Sequence, residues 1–168
     1  LAKVRFGPPS RRRRTSAGLR SRSVRQRRCG RCGCWSYVGQ RAYALRAGSR
    51  ETLLKYGVAS TDIIECWVPG SFELASGAQY LLEKEDLHGV ICLSSVVRGE
   101  TPHFDFACHG TTQGIMDVAL KFSIPVIFGV LTDDTMEQAR ARSGGVHGNK
   151  GIDCAVAVLK MAALKSKS

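Results

Sequence analysis

Gly89-Val-Ile-Cys-Leu-Ser-Ser-Val-Val97 runs directly into Arg98-Gly-Glu-Thr-Pro-His-Phe-Asp-Phe106, and this junction decides the fold. The first segment carries no charge and is rich in Val and Ile, the pattern of a strand buried on both faces, as in a parallel sheet. The second turns abruptly polar. In open α/β sheets, the C-terminal edge of the strands is where ligands bind. Gly99 allows a ligand close to the backbone, and Thr101 offers a hydroxyl beside neighbouring amides. Histidine is the residue type that serves most readily as a general acid/base near neutral pH, so His103 is the candidate for that role.

Outward from this junction, strand and helix patterns alternate. Ile63-Ile-Glu-Cys-Trp-Val68 reads as a strand ended by Pro69-Gly70. Ser71 is the expected N-cap of a helix reaching about Glu83, with Phe72, Ala75, Ala78, Gln79 and Leu82 on one face. A helix is expected from about Asp105 to Phe122, then a buried strand at Pro125-Val-Ile-Phe-Gly-Val-Leu131. A short helix should begin at Asp134 and stop near Gly144-Gly145. The last helix is expected over Lys150–Lys165, with Ile152, Val156, Leu159 and Ala163 at helical spacing. Such alternation argues an α/β fold with a parallel sheet and right-handed crossovers.

Charge divides the chain of 168 residues in two. Residues 1–50 hold fifteen of the 25 Lys and Arg and none of the 14 Asp and Glu. The formal net charge of +11 therefore belongs to the head alone, and the remainder is slightly acidic. That remainder, about 118 residues, suffices for one core and is too short for two. No apolar run approaches the roughly 18 residues of a membrane span, and the head lacks the apolar stretch of a signal peptide. Among the seven cysteines, Cys66, Cys92, Cys108 and Cys154 sit singly in apolar or helical patterns and are expected to pack as small hydrophobes. Cys29, Cys32 and Cys34 form C-x-x-C-x-C, but no His and no second C-x-x-C follows nearby, so no metal site is expected.

Four motifs, VPGSFEL at 68–74, VVRGETPHFDF at 96–106, PVIFGVLT at 125–132 and GNKG at 148–151, together resemble the 6,7-dimethyl-8-ribityllumazine synthase family. The resemblance is clear from about Thr52 to Leu164. It implies a flavodoxin-like, three-layer αβα sandwich with a four-stranded parallel sheet and helices on both faces. It implies the condensation of 5-amino-6-ribitylamino-uracil with 3,4-dihydroxy-2-butanone 4-phosphate in riboflavin biosynthesis, without metal or organic cofactor. It also implies a homopentamer or a sixty-subunit shell, with active sites at subunit interfaces and riboflavin synthase as a further partner. No membrane partner is expected, and the cytoplasm is the expected location.

The same resemblance assigns residues. His103 matches the proton-transfer position. Ser71, Phe72 and Glu73 match the ribityl-binding triplet, although Glu73 in a first helical turn also suits the helix dipole. Ser95, Val96 and Val97 match the segment whose backbone meets the pyrimidine, and Phe128 an aromatic donated across a subunit boundary. Glu100, Thr101 and Arg142 match the phosphate site, where a planar guanidinium donates two hydrogen bonds; Arg140 is the alternative. Lys150 of GNKG adds positive charge. Val146 stands where the family often has lysine. His88, His109 and His147 have no comparable setting.

The head departs from the family. Before Glu51 the chain is Arg-, Ser- and Gly-rich and barely apolar. Counting back from Lys55-Tyr-Gly-Val58 puts Tyr37 at the family's stacking aromatic and Gly48 on a family glycine. Two origins fit: a reading-frame slip upstream of about residue 50, or a transit peptide, which would direct the protein to a plastid. Residues 1–33 are thus an atypical head and 34–168 the domain, with Cys34-Trp-Ser-Tyr-Val38 the candidate for the missing strand. Two other functions compete with catalysis. An impaired homologue would serve as an oligomeric scaffold. The basic head would bind nucleic acid non-specifically through phosphates, but it lacks the interleaved aromatics that base stacking needs.

Overall fold

The computed structural model describes residues 2–3, 32–36 and 39–167, with side chains described for 41–167. In chain order the elements are β1 (Ala2–Lys3), β2 (Cys32–Ser36), α1 (Gly39–Lys55), a 3-10 turn (Ser60–Asp62), β3 (Trp67–Val68), α2 (Leu74–Lys84), β4 (Val90–Val97), α3 (His103–Phe122), β5 (Val126–Asp133), α4 (Met136–Arg142), β6 (Ser143–Gly145), β7 (Gly148–Asn149) and α5 (Lys150–Lys165). β4 lies between β2 and β5 and runs parallel to both. β3 pairs parallel with β2, and β1 pairs with it antiparallel. The molecule is an α/β fold around a parallel sheet.

Alternation along β4 builds two cores. Ile91 and Leu93 point into a cluster with Leu45 and Leu53 of α1, Leu131 of β5, and Cys154, Ala155 and Val158 of α5. Val90 and Cys92 join the opposite cluster with Leu74, Ala78 and Leu82 of α2 and Ile115 and Val118 of α3. Helices therefore cover both faces, which is why β4 reads as a continuous apolar run rather than an alternating one.

Several sequence expectations need correction. The strand expected over 63–68 is reduced to Trp67–Val68. Ser71 does not cap α2: Glu73 occupies the N-cap without a side-chain capping bond, and the Ser71 hydroxyl instead meets Ser94 Oγ at 2.5 Å. Its core face is Leu74, Gly77, Ala78 and Leu82, whereas Phe72 is 61% exposed. α4 starts two residues later than expected, at Met136, because Thr135 and Gln138 form a capping box.

The C-terminal helix spans Lys150–Lys165 as read, but it buries Gly151, Cys154, Ala155, Val158 and Ala162. Of the expected stripe, Leu159 packs against the core edge and Val156 is half-buried, while Ile152 is 44% exposed. Close packing explains the choice. A Cβ on Gly151 would meet the Leu45 carbonyl oxygen at 1.9 Å, and one on Gly129 of β5 would meet Cys154 Sγ at 2.9 Å. Small residues let α5 lie close to both α1 and the sheet.

The segment read as barely apolar forms much of α1, whose Ala42, Leu45, Ser49, Thr52 and Leu53 are all buried. Its small residues fit against α5, so low hydropathy there did not mean exposure. The candidate strand at 34–38 corresponds to β2 at Cys32–Ser36. Tyr37, Cys29 and the Arg-rich stretch up to residue 31, apart from β1, lie outside the described residues. Cys92 and Cys154 are buried, while Cys66 and Cys108 are half-buried; burial pushes the Cys154 thiol up to about 11, as suits a packing residue.

Candidate active site

β4 ends in the polar turn that leads to α3, and this turn is tied down by Arg98. Its backbone N–H donates to the Asp133 carbonyl at 2.9 Å, its Nε to Asp134 Oδ1 at 2.8 Å, and its guanidinium pairs with Asp105 at 3.1 Å. The same guanidinium lies 4.1 Å from the Phe104 ring centroid. Strand, turn and helix start are thereby fixed relative to one another. His103 stands at the first position of α3, after Pro102 at the N-cap, and its side chain is exposed.

A cavity of about 630 Å³ opens beside this turn, lined by Arg41, Gly70, Ser71, Phe72, Glu73, Ser95, Val96, Val97, His103 and Ala107. The walls come from the start of α1, the 70–73 turn, the end of β4 and the start of α3. Ser94, fully buried, anchors the turn through Ser71. Ser95, also buried, accepts a hydrogen bond from Arg41 Nε at 3.2 Å. Carboxylate, hydroxyls, imidazole and guanidinium therefore share one concave surface, which can hold a ligand rich in hydroxyl and carbonyl groups.

A second cavity of about 630 Å³ is lined by Thr132, Asp133, Glu137, Gln138, Ala141, Arg142, Val146 and His147. The register places Val96 opposite Thr132 and Val97 opposite Asp133, so the two cavities open at neighbouring strand ends. Asp133 is buried and its Oδ2 has no hydrogen-bond partner. Burial raises its carboxyl above the ordinary carboxylate range, while Arg142 and Arg41 pull it back.

Of the expected site residues, Ser71, Phe72, Glu73, Ser95, Val96, Val97 and His103 line the first cavity. Arg142 lines the second, and Arg140 lines neither. Glu100 and Thr101 lie exposed on the turn and line neither cavity. Phe128 is half-buried on β5 against the α2/α3 cluster. Lys150 starts α5 and approaches Asp153 at 3.8 Å. Tyr37 lies outside the described residues.

Three charged or titratable lining residues, Arg41, Asp133 and His147, are not singled out by the sequence. Arg41 and Asp133 belong to none of the four motifs, and His147 has no comparable setting in the family. Only Asp133 left a signal, as a carboxylate at the end of an otherwise apolar strand. GNKG also does more than carry Lys150. Asn149 caps α5 by accepting from the Gly151 N–H at 2.9 Å and donates through Nδ2 to the Ala44 carbonyl at 2.8 Å. The motif thus docks α1. Among the described residues no cluster of three His, Cys, Asp or Glu could hold a metal ion.

A polar cavity at the carboxyl edge of a parallel sheet defines the class: an α/β protein built to hold a small polar molecule. The family model for 6,7-dimethyl-8-ribityllumazine synthase matches residues 38–166. Curated relatives of that name agree. The protein of Cytophaga hutchinsonii is 54% identical over 119 residues, 71% of this chain and 75% of the relative. That of Porphyromonas gingivalis is 51% identical over 121 residues, 72% of this chain and 75% of the relative. That of Lactiplantibacillus plantarum is 48% identical over 116 residues, 69% and 73% respectively. The chain belongs to the 6,7-dimethyl-8-ribityllumazine synthase family. The family match begins at residue 38, upstream of Thr52.

Proposed function

We infer that the chain is a transferase of riboflavin biosynthesis. It condenses 5-amino-6-ribitylamino-uracil with 3,4-dihydroxy-2-butanone 4-phosphate to give 6,7-dimethyl-8-ribityllumazine, phosphate and two molecules of water. The observation that carries this reading is the gathering of Ser71, Phe72, Glu73, Ser95, Val96, Val97 and His103, from three separate segments, around one cavity in a chain of this family.

Each residue then has a task. Ser71 donates to and accepts from ribityl hydroxyls, and Glu73 accepts from them, a carboxylate being able to accept from two at once. The main chain of Ser95–Val97 meets the pyrimidine edge beside Phe72. The amides of Glu100 and Thr101, the Thr101 hydroxyl and Arg142 bind the phosphate, with Lys150 adding positive potential. His103 moves the proton released as the amine attacks the carbonyl carbon. Tyr37 stacks on the ring, and Phe128 contributes across a subunit boundary. The location of Arg142 in a cavity apart from His103 supports a site completed by a second copy, and hence a homopentamer or larger shell.

The assembled subunit is proposed to be a flavodoxin-like three-layer αβα sandwich with a four-stranded parallel sheet, formed by residues 34–168 with 1–33 as an appended head. The protein is proposed to work in the cytoplasm with riboflavin synthase as its downstream partner. Among the described residues no helix is long and apolar enough to cross a membrane. The test is a steady-state assay with both substrates, following the lumazine by absorbance and phosphate release in parallel. Equal accumulation of both is expected. Release of neither contradicts the reading, and a monomer in sedimentation would contradict the shared site.

A further inference from the structure

Arg41 is the one Arg or Lys among the lining residues of the first cavity, and no motif accounts for it. It lies in the first turn of α1. Its Nε donates to Ser95 Oγ at 3.2 Å, and its Nη1 contacts Met136 Sδ. Ser95 is immediately followed by Val96 and Val97, which line the same cavity. The guanidinium thus lies against the part of the wall proposed to receive the pyrimidine. A guanidinium carries five N–H donors in one plane, and these two contacts leave donors over.

Asp133 supplies the second observation. Asp133 is buried, with 6% of the residue exposed, and one of its carboxylate oxygens has no hydrogen-bond partner. It lies within electrostatic range of both Arg41 and Arg142. A buried carboxylate next to a half-buried guanidinium favours keeping that cation at the sheet edge rather than swung into solvent. Arg41 is therefore held by its hydrogen bond to Ser95 of β4, while Asp133 of β5, whose backbone stands beside Val97 in the sheet, attracts it electrostatically.

We propose that Arg41 is a substrate-binding, specificity-determining residue whose guanidinium donates to a ring carbonyl oxygen of the pyrimidinedione, with Asp133 as its positioning residue. This rests on the reading of the first cavity given under Proposed function. The chemistry matches: the other polar side chains of the cavity are hydroxyls, a carboxylate and an imidazole, which suit the ribityl chain. A planar ring bearing carbonyl acceptors calls for fixed N–H donors, which a guanidinium provides and an ammonium does not provide in the same geometry.

The experiment compares the full chain with Arg41→Met, Arg41→Lys and Asp133→Asn. It measures KM for each substrate, kcat, and the Kd of 6,7-dimethyl-8-ribityllumazine by fluorescence titration. Losing a charge-assisted hydrogen bond is expected to raise the pyrimidine KM and the lumazine Kd about 10-fold or more in Arg41→Met. The KM for the butanone phosphate should stay within about twofold. Arg41→Lys should fall between, since charge is kept and the fork lost, and Asp133→Asn should move the same constants in the same direction by less. Unchanged pyrimidine KM and lumazine Kd in Arg41→Met, or equal rises in both KM values, overturn the proposal. If Arg41→Met loses its melting transition, Arg41→Lys decides: an unchanged lumazine Kd overturns the proposal, a raised one supports it. A parent chain that turns over normally isolates any failure to Arg41. One that neither turns over nor binds the lumazine refutes the reading of the cavity, and this proposal with it.

Discussion

The seam between α1 and α5 and the rim of the first cavity make opposite use of sequence motifs. In the seam, GNKG contributes a capping side chain and a glycine that lets two helices touch, with Asn149 bonded to the Ala44 carbonyl and the Gly151 position against the Leu45 carbonyl. At the rim, Arg98 of RGETPH ties the turn to β5 and α3, while Glu100, Thr101 and His103 are solvent-accessible and hold little of the fold. The lesson is that a motif's exposure separates its roles. Buried motif residues set stability, and exposed ones are available for chemistry.

The sharpest way to break that division is Gly151→Ala. A methyl placed 1.9 Å from a backbone oxygen cannot be accommodated without parting the helices, and overpacking of this kind costs about 3 kcal/mol or more. Thermal melting should fall by roughly 6–12 °C for a chain of this size. An unchanged midpoint would mean that the seam is loose and that GNKG acts through Lys150 alone.

Arg142→Ala tests the rim of the second cavity. The Michaelis constant for the butanone phosphate should rise about 10- to 150-fold, the range of a lost charge-assisted hydrogen bond, while the pyrimidine constant and the melting midpoint barely move. If both substrates weaken equally, Arg142 is structural and Arg140 becomes the phosphate candidate.

His103→Ala should slow turnover about 10-fold or more, since positioned proton transfer contributes on the order of 10²–10⁴-fold to a condensation that also proceeds without a catalyst. Because the side chain is exposed at the start of α3, melting should be unaffected. A full rate in the purified variant would remove His103 from the mechanism.

Asp133 crosses the division, being buried yet lining a cavity, and it gives the smallest effect. Burial raises its carboxyl above the ordinary range, so ionisation of this group costs stability. That cost is absent below the ordinary carboxylate value of about 3.9 and fully present once pH exceeds the raised value. Asp133→Asn should therefore be more stable than the parent at neutral pH, by about 1 kcal/mol. The gap should close as pH falls through that window. Chemical denaturation at several pH values checks the sign, and a gap that widens on acidification would show that the two arginines outweigh burial.

The same division explains what the sequence made legible. β4, β5 and the extent of α5 were readable because long apolar runs and helical spacing record burial directly, and the first cavity because its residues sit in contiguous motifs at strand and helix ends. The buried face of α5 was legible only in part: Leu159 does pack against the core, but hydropathy also favours the exposed Ile152, whereas close helix packing selects Gly151, Ala155 and Ala162. The cap of α2 was misread because the Ser71 hydroxyl was taken by Ser94, a contact between segments far apart in sequence. Arg41 stayed hidden for the same reason, since it gains its meaning only from Ser95 on another element.

The central claim is that the cavity of Ser71, Glu73, Ser95–Val97 and His103 is where the lumazine is made. A crystal structure of the full chain with 6,7-dimethyl-8-ribityllumazine tests it most directly. The account predicts the ring system against the Ser95–Val97 main chain, the ribityl hydroxyls on Ser71 and Glu73, and His103 within hydrogen-bond reach of the ligand. A lumazine bound elsewhere, or density for none at saturating concentration, would contradict it.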